Sequence, residues 1–264
     1  MRERKDKWNY LIQAVSHALE VLEALCNNKE PLGVTELSKQ LRLHKNNIFR
    51  LLATLEVRGY VMQDASTERY FLGPKALSLA SAYESYSAIF RKSESPVNVV
   101  RKAVNENVYF ATLVGDKVYY INGRESSNPV RTQFKRGYSM DILKSAAGRL
   151  LAALQFSNQE IAELKDPEFI KSVEDIKQSH IYVTQSLEKD VLSVAVPVKE
   201  SQDNLIGAIQ VDAPVYRMSA QDLVAAVTKG LTDYYDQTGL RDLSGIAIEV
   251  ERMNSAIKEQ IVVR

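Results

Sequence analysis

The sequence predicts an α+β protein of two domains. A winged helix-turn-helix comes first, then a linker helix, then an antiparallel sheet flanked by helices. Three observations predict it. Residues 15 to 58 carry three short helical stripes separated by tight breaks, and two β-rich pieces around a polar turn follow them. A smooth helix rich in alanine and serine begins at Pro74. After Pro96 the pattern changes to longer alternation of strands and helices. The length of 264 residues suits about two domains, and an apolar fraction of 45% suits a real core.

In the first helix, Val15, Ala18, Leu19, Leu22, Leu25 and Cys26 recur on one face, so Cys26 is expected to be a buried thiol. Asn27, Asn28 and Pro31 end it. Thr35 is the expected N-cap of the second helix, with Glu36 in its first turn and Leu37 and Leu41 inward. The third helix runs from Lys45 to Arg58. Ile48, Leu51, Leu52 and Leu55 form its core stripe, and Gly59 is its stop. "YVMQD" (60–64) and "RYFLG" (69–73) form a hairpin around "ASTE".

Further on, a linker helix is expected over 74–92 and a helix over 96–105. Strands follow at "NVYFATLVGD" and "KVYYINGRE", with a third at "PVRTQF". "ILKSAAGRLLAAL" reads as one helix and "SNQEIAEL" as another behind a Ser157 cap. "DVLSVAVPVKE" and "NLIGAIQVDAPV" are strands joined by "SQDN". "SAQDLVAAVTKGLTDYYDQTG" is a capped amphipathic helix closed by Gly239. Beyond it, Ile246, Val250, Met253, Ile257 and Ile261 make an apolar stripe, an added helix over 241–264 that needs a partner surface, on its own chain or on a second subunit. The expected division is a tail at 1–12, the winged helix at 13–73, the linker at 74–92, a second domain at 93–240 and the terminal helix at 241–264.

Net charge is only +1, with a small positive excess in the first third, which suits a polyanion at that end. A single cysteine excludes an internal disulfide, and His17, His44 and His180 are far apart in sequence. No stretch approaches the roughly 18 uninterrupted apolar residues of a membrane span, and the start is not a signal peptide, so a cytoplasmic protein is expected. No Gly-rich phosphate loop, nucleophile elbow or metal-spaced histidine pair is present, so neither an enzyme nor a cofactor is expected.

The third helix carries the functional signal. With Ile48 inward, a 100° step per residue turns Asn46, Arg50 and Ala53 outward, flanked by Asn47, Phe49 and Thr54. Two consecutive asparagines weaken a helix start and so need another reason. Asn can bond bidentately to adenine, Arg to guanine or phosphate, and Lys45 at the positive helix end can meet a phosphate. Lys45, Asn46, Asn47 and Arg50 are therefore candidate contacts to double-stranded DNA. Thr35 and the wing residue Arg69 join them. The alternative is a solvated face on a small-molecule sensor or protein-interaction module without DNA binding.

"SHALEVLEAL", "TELSKQL", "KNNIFRLLATLEVRGYV" and "RYFLGPKALSLA" resemble the DNA-binding half of the IclR family of bacterial transcriptional regulators. "LKSAAGRLLAAL", "LSVAVPVKE" and "IGAIQVDAPVYRMS" resemble, in order, segments of that family's GAF-like effector domain. The family usually has Gly-Leu where this chain has Arg42-Leu43, and Ser-Thr where it has Asn46-Asn47. The resemblance implies a ligand-responsive regulator that binds a palindromic operator as a homodimer or homotetramer, with the linker helix relaying effector binding. It also implies a small-molecule effector pocket lined by Ala146, Ala147, Ser193, Gln210 and Asp212. The family's acidic position falls near Val183-Thr184, where this chain has no carboxylate. Gln210 and Asp212 are two apart on one strand and so share a face. If Asp212 faces the pocket, its charge favours a hydroxylated or cationic ligand over a small carboxylate. The other reading makes Asp212 a structural turn residue before Pro214.

Overall fold

A computed structural model describes residues 10–28, 30–185, 189–201 and 204–238. The chain divides into two compact units between residues 87 and 88. The expected helix over 241–264 and the expected stop at Gly239 lie outside the described residues.

The first unit contains α1 (Gln13–Asn27), α2 (Val34–Leu41), α3 (Lys45–Val57), a hairpin of β1 (Val61–Gln63) and β2 (Tyr70–Leu72), and α4 (Lys75–Tyr86). Its core is Val21, Leu25, Leu32, Leu37, Ile48, Leu52, Leu55, Val61 and Tyr70. β1 and β2 pair antiparallel, and Leu32 bridges Tyr70, so the loop before α2 closes on the hairpin. Gly59, at φ 77, ends α3 as its position requires. Gly73 passes so close that a Cβ there would lie 2.4 Å from the Gly59 carbonyl oxygen.

Two expectations fail in this unit. Cys26 is exposed. α1 turns Val21, Ala24 and Leu25 inward, which rotates Val15, Leu19 and Cys26 towards solvent. The apolar stripe of the sequence is wider than the face the core can bury. Thr35 is not the N-cap of α2: Gly33 is, and its amide donates to the Glu36 carboxylate at 2.8 Å. Thr35 lies inside the first turn, exposed.

The second unit opens with α5 (Ala88–Val104), which contains Pro96. Then come β3 (Asn107–Val114), β4 (Lys117–Arg124), β5 (Ser139–Asp141), a 3-10 turn (Ile142–Lys144) and α6 (Ala146–Gln155). α7 (Asn158–Glu163), α8 (Pro167–Ser179), β6 (Tyr182–Thr184), β7 (Val191–Ser201), β8 (Asn204–Pro214) and α9 (Ala220–Thr238) complete it. The sheet order is β5-β4-β3-β8-β7-β6, every pairing antiparallel. Strand alternation gives the sheet two interior faces. Val108, Phe110, Val194, Val196, Ile209 and Val211 pack with α5 and α9. Tyr109, Ala111, Tyr120, Ala195 and Ala208 pack with α6 and α8.

The linker expected as one helix over 74–92 is two helices meeting at Ser87, whose extended ψ of 113 ends α4. Pro96 starts no new element; it sits buried inside α5. "PVRTQF" is not a strand, because its backbone carbonyls bond to side chains rather than to a neighbouring strand. The helix expected over 142–154 breaks at Ser145, whose side chain accepts from the Gly148 amide and caps α6. Ser157 caps α7 as expected, and Glu160 returns a bond to complete a capping box. β5, α8 and β6 were not anticipated. Asp166 caps α8 with Pro167 at its first position, a start signal legible in the sequence.

A candidate DNA-reading face and a candidate effector cluster

α3 presents two chemically distinct sides. Ile48, Leu52 and Leu55 are buried, while Lys45, Asn46, Asn47, Phe49 and Arg50 are exposed. Among the described residues, the side chains of Lys45, Asn46, Asn47 and Arg50 have no hydrogen-bond or ion-pair partner. Nothing inside the unit therefore competes for their donors and acceptors, and the helix N-terminus adds its partial positive charge.

The wing differs. Arg69 donates to the Pro31 carbonyl at 2.6 Å and to Glu36 Oε1 at 3.0 Å. With the Gly33 amide as the larger cause, Arg69 holds the Glu36 carboxyl below its ordinary range. Arg69 thus clamps the wing to the start of α2. At the wing turn, Asp64 accepts from the hydroxyls and amides of both Ser66 and Thr67. Those bonds, the Ser66 hydroxyl first, lower its pKa to about 2.

In the second unit the structure brings all five predicted effector residues together on the α6 face of the sheet. Ala146, Ala147 and Asp212 are fully buried, and Ser193 and Gln210 nearly so. Gln210 Oε1 accepts from the Ala147 amide at 2.9 Å, from Tyr120 Oη at 3.1 Å and from Ser145 Oγ at 3.2 Å. Gln210 Nε2 and Ser193 Oγ each donate to Asp212 Oδ1 at 2.8 Å. Lys135 Nζ lies 3.0 Å from Asp212 Oδ2. Asp212 is therefore a mid-strand residue with its charge matched. That matching removes the ground for expecting a cationic ligand.

The segment 125–137 straps this end of the sheet. Asn107 donates to Thr132, Tyr109 Oη donates to the Gln133 carbonyl at 3.0 Å, and Lys135 reaches Asp212. Phe134 stacks on Tyr109, which tilts against Tyr120, giving the cluster an aromatic wall. Burial, then the nearby Asp212 charge, pushes the Tyr109 phenol upward, so it stays a donor. Tyr109, Tyr120, Lys135 and Ser145 join the candidate cluster, and the sequence did not single them out. Ser145 had a signal, as a serine three residues before Gly148 at a helix start. Lys135 had none, since its partner is 77 residues away.

Comparison with known proteins matches both units. The sequence model of the IclR helix-turn-helix domain covers residues 14–65, and that of the bacterial transcriptional regulator IclR C-terminal domain covers residues 82–237. This chain belongs to the IclR family. It is 23% identical over 233 residues to the HTH-type transcriptional regulator KdgR of Escherichia coli (strain K12), covering 83% of this chain and 88% of that protein. Its fold is that of the IclR transcriptional regulator from Alicyclobacillus acidocaldarius, with a TM-score of 0.73 at 21% identity over 85% of this chain and 96% of that one. An IclR homolog from Microbacterium hydrocarbonoxydans complexed with 4-hydroxybenzoate has a TM-score of 0.68 at 15% identity, covering 87% and 99% of the two chains. As an IclR-family member the chain is a DNA-binding transcriptional regulator with a C-terminal effector-binding domain. No described helix is long and apolar enough to cross a membrane.

Proposed function

We propose that this IclR-family chain is a cytoplasmic regulator that binds a palindromic operator as a homo-oligomer, with α3 of each subunit in a major groove. The observation that carries the reading is the exposed face of Lys45, Asn46, Asn47 and Arg50 on a helix whose opposite face is core. Asn46, Asn47 and Arg50 read base edges, and Lys45 meets phosphate. One winged helix makes few base contacts, so pairing on a two-fold site supplies the affinity. Exposed apolar residues support self-association: Ile12, Val15 and Leu19 at α1, and Leu77, Leu79 and Tyr86 on α4, which buries none of its own residues.

The effector is a small hydroxylated organic molecule that exchanges hydrogen bonds with the Gln210–Asp212 cluster. A ligand oxygen takes the donors now given to Gln210 Oε1, and a ligand hydroxyl donates to Asp212. The aromatic wall of Tyr109, Tyr120 and Phe134 suits a flat apolar body. The 4-hydroxybenzoate held by one structural neighbour shares the flat ring and the hydroxyl of this class but adds a carboxylate. Control follows if the effector binds one arrangement of the reading heads better than the other.

The test is footprinting on the intergenic region upstream of the chain's own gene, with sedimentation velocity on the same sample. An inverted-repeat footprint from an oligomer is expected. Protection of an unrepeated half-site by a monomer refutes the two-fold reading, and absence of any protection refutes autoregulatory binding at that region.

A further inference from the structure

Arg42 closes α2 in the left-handed conformation, with φ 56 and ψ 37, its amide donating to the Ser38 carbonyl. Glycine fills such a position at least cost, because any Cβ crowds the following carbonyl there. A long cation at this point opposes folding and gains nothing inside the unit. Arg42 is exposed, and among the described residues its guanidinium has no hydrogen-bond or ion-pair partner. Its place in the turn is specific. Lys45, the first residue of α3, is three residues on, so their Cα atoms are at most about 11 Å apart. A phosphate on the turn side of the start of α3 lies within the reach of both side chains.

A second, independent observation concerns the wing. A spare cation is what lets a wing neutralise a DNA phosphate. Arg69 is the single basic residue between Val61 and Leu72, and it is held by Pro31 and Glu36. The turn itself carries Asp64 and Glu68, both acidic. Phosphate is repelled there rather than attracted.

We infer that Arg42 is a DNA-backbone contact, anchoring each reading head from the helix-turn side in place of the wing. The inference rests on the reading of α3 as the DNA-facing helix. A cation that neutralises one phosphate releases condensed counterion, which gives it a signature independent of sequence.

The test uses the full chain and a mixed-sequence duplex of about 30 base pairs, titrated over a range of salt concentrations, so no operator is needed. Arg42→Gln removes the charge and keeps the backbone problem. Arg42→Gly removes both. Arg42→Lys keeps the charge. For the first two, the slope of log affinity against log salt becomes shallower by about 0.9 for each engaged head, and binding near 0.15 M salt weakens about five-fold per head. Arg42→Lys retains the parental slope. Arg42→Gly melts no lower than the parent, so the loss is not misfolding. If the parent itself binds without salt dependence, the DNA-facing reading of α3 fails. If the parent shows the slope and Arg42→Gln keeps it unchanged, the assignment of Arg42 is overturned, and the reading of α3 is judged separately by whether Lys45→Gln makes the slope shallower.

Discussion

The proposed reading face of α3 and the proposed effector cluster of the second unit are both polar, and they are built on opposite terms. Lys45, Asn46, Asn47 and Arg50 stand in water with their donors and acceptors uncommitted to the chain. Ser145, Ser193, Gln210 and Asp212 are buried, and every one of their side chains is hydrogen-bonded. The physical chemistry requires the difference. An exposed polar group costs nothing while it waits, because water satisfies it. A buried one left unmet costs free energy at once. A surface that meets DNA can therefore wait open. A site in the core must be satisfied by its own residues, and a ligand enters it only by exchange. In the proposed site, Gln210 Oε1, with three donors on it, is the group a ligand oxygen would replace.

The sharpest way to break this comparison is to leave one member of the buried set unpaired. Lys135→Met strands the Asp212 carboxylate inside the sheet. It should cost the second unit about 3–5 kcal/mol. Calorimetry should show its melting temperature fall by about 10 °C. A shift within error would mean that Asp212 is not held by Lys135 and that the cluster is open to solvent.

On the exposed side the same kind of truncation should leave stability alone. Arg50→Ala is expected to keep the parental melting temperature while weakening operator binding by about 1–3 kcal/mol per half-site. Anisotropy titrations at fixed salt read this directly, and equal affinities would show that this face does not contact the operator.

Smaller still in total affinity is the exchange of Asn46 and Asn47 for Ser and Thr. These side chains specify rather than position, so preference among operator variants should move by about 1 kcal/mol at the affected base pairs. Selection from a randomised duplex library checks it; identical recovered motifs for the two proteins would count against base reading by this pair.

The smallest effect is a pH dependence of the wing. Asp64 titrates at 3.8 when unfolded and at about 2 in the folded turn. Its folded pKa is depressed, so its contribution is fully present above 3.8 and is lost as pH falls through about 2. The Ser66 and Thr67 amides should lose exchange protection over that interval, and Asp64→Asn should remove the pH dependence. Protection that holds steady to pH 2 in the parent would show that these bonds do not order the turn.

Much of the architecture was legible because it is local. The core stripe of α3, the Gly59 stop, the Ser157 cap and the two long strands each rest on residues a few positions apart. The pairing of Gln210 with Asp212 on one face followed from strand alternation alone. The failures share a cause. Cys26 depended on how far α1 is rotated against α2 and α3, and a stripe in the sequence sets that rotation only to within the width of the stripe. Thr35 lost the cap to Gly33 because Glu36 satisfies the Gly33 amide, and Glu36 is itself fixed by Arg69 from the hairpin.

The sequence by itself determined which residues of α3 face inward and that Gly59 stops it, since periodicity and capping act within a few residues, and its motifs in their order carried the resemblance to the IclR family. Only the tertiary structure decided that Arg69 clamps the wing to α2, and that Lys135 neutralises Asp212 across 77 positions of chain. It likewise decided that the segment 129–134 gives its carbonyls to Asn107 and Tyr109 instead of to a strand. The reason is the reach of the interactions. A hydrogen bond or an ion pair acts over about 3 Å, and which distant residues come within that distance is set by how the sheet and its strap fold together.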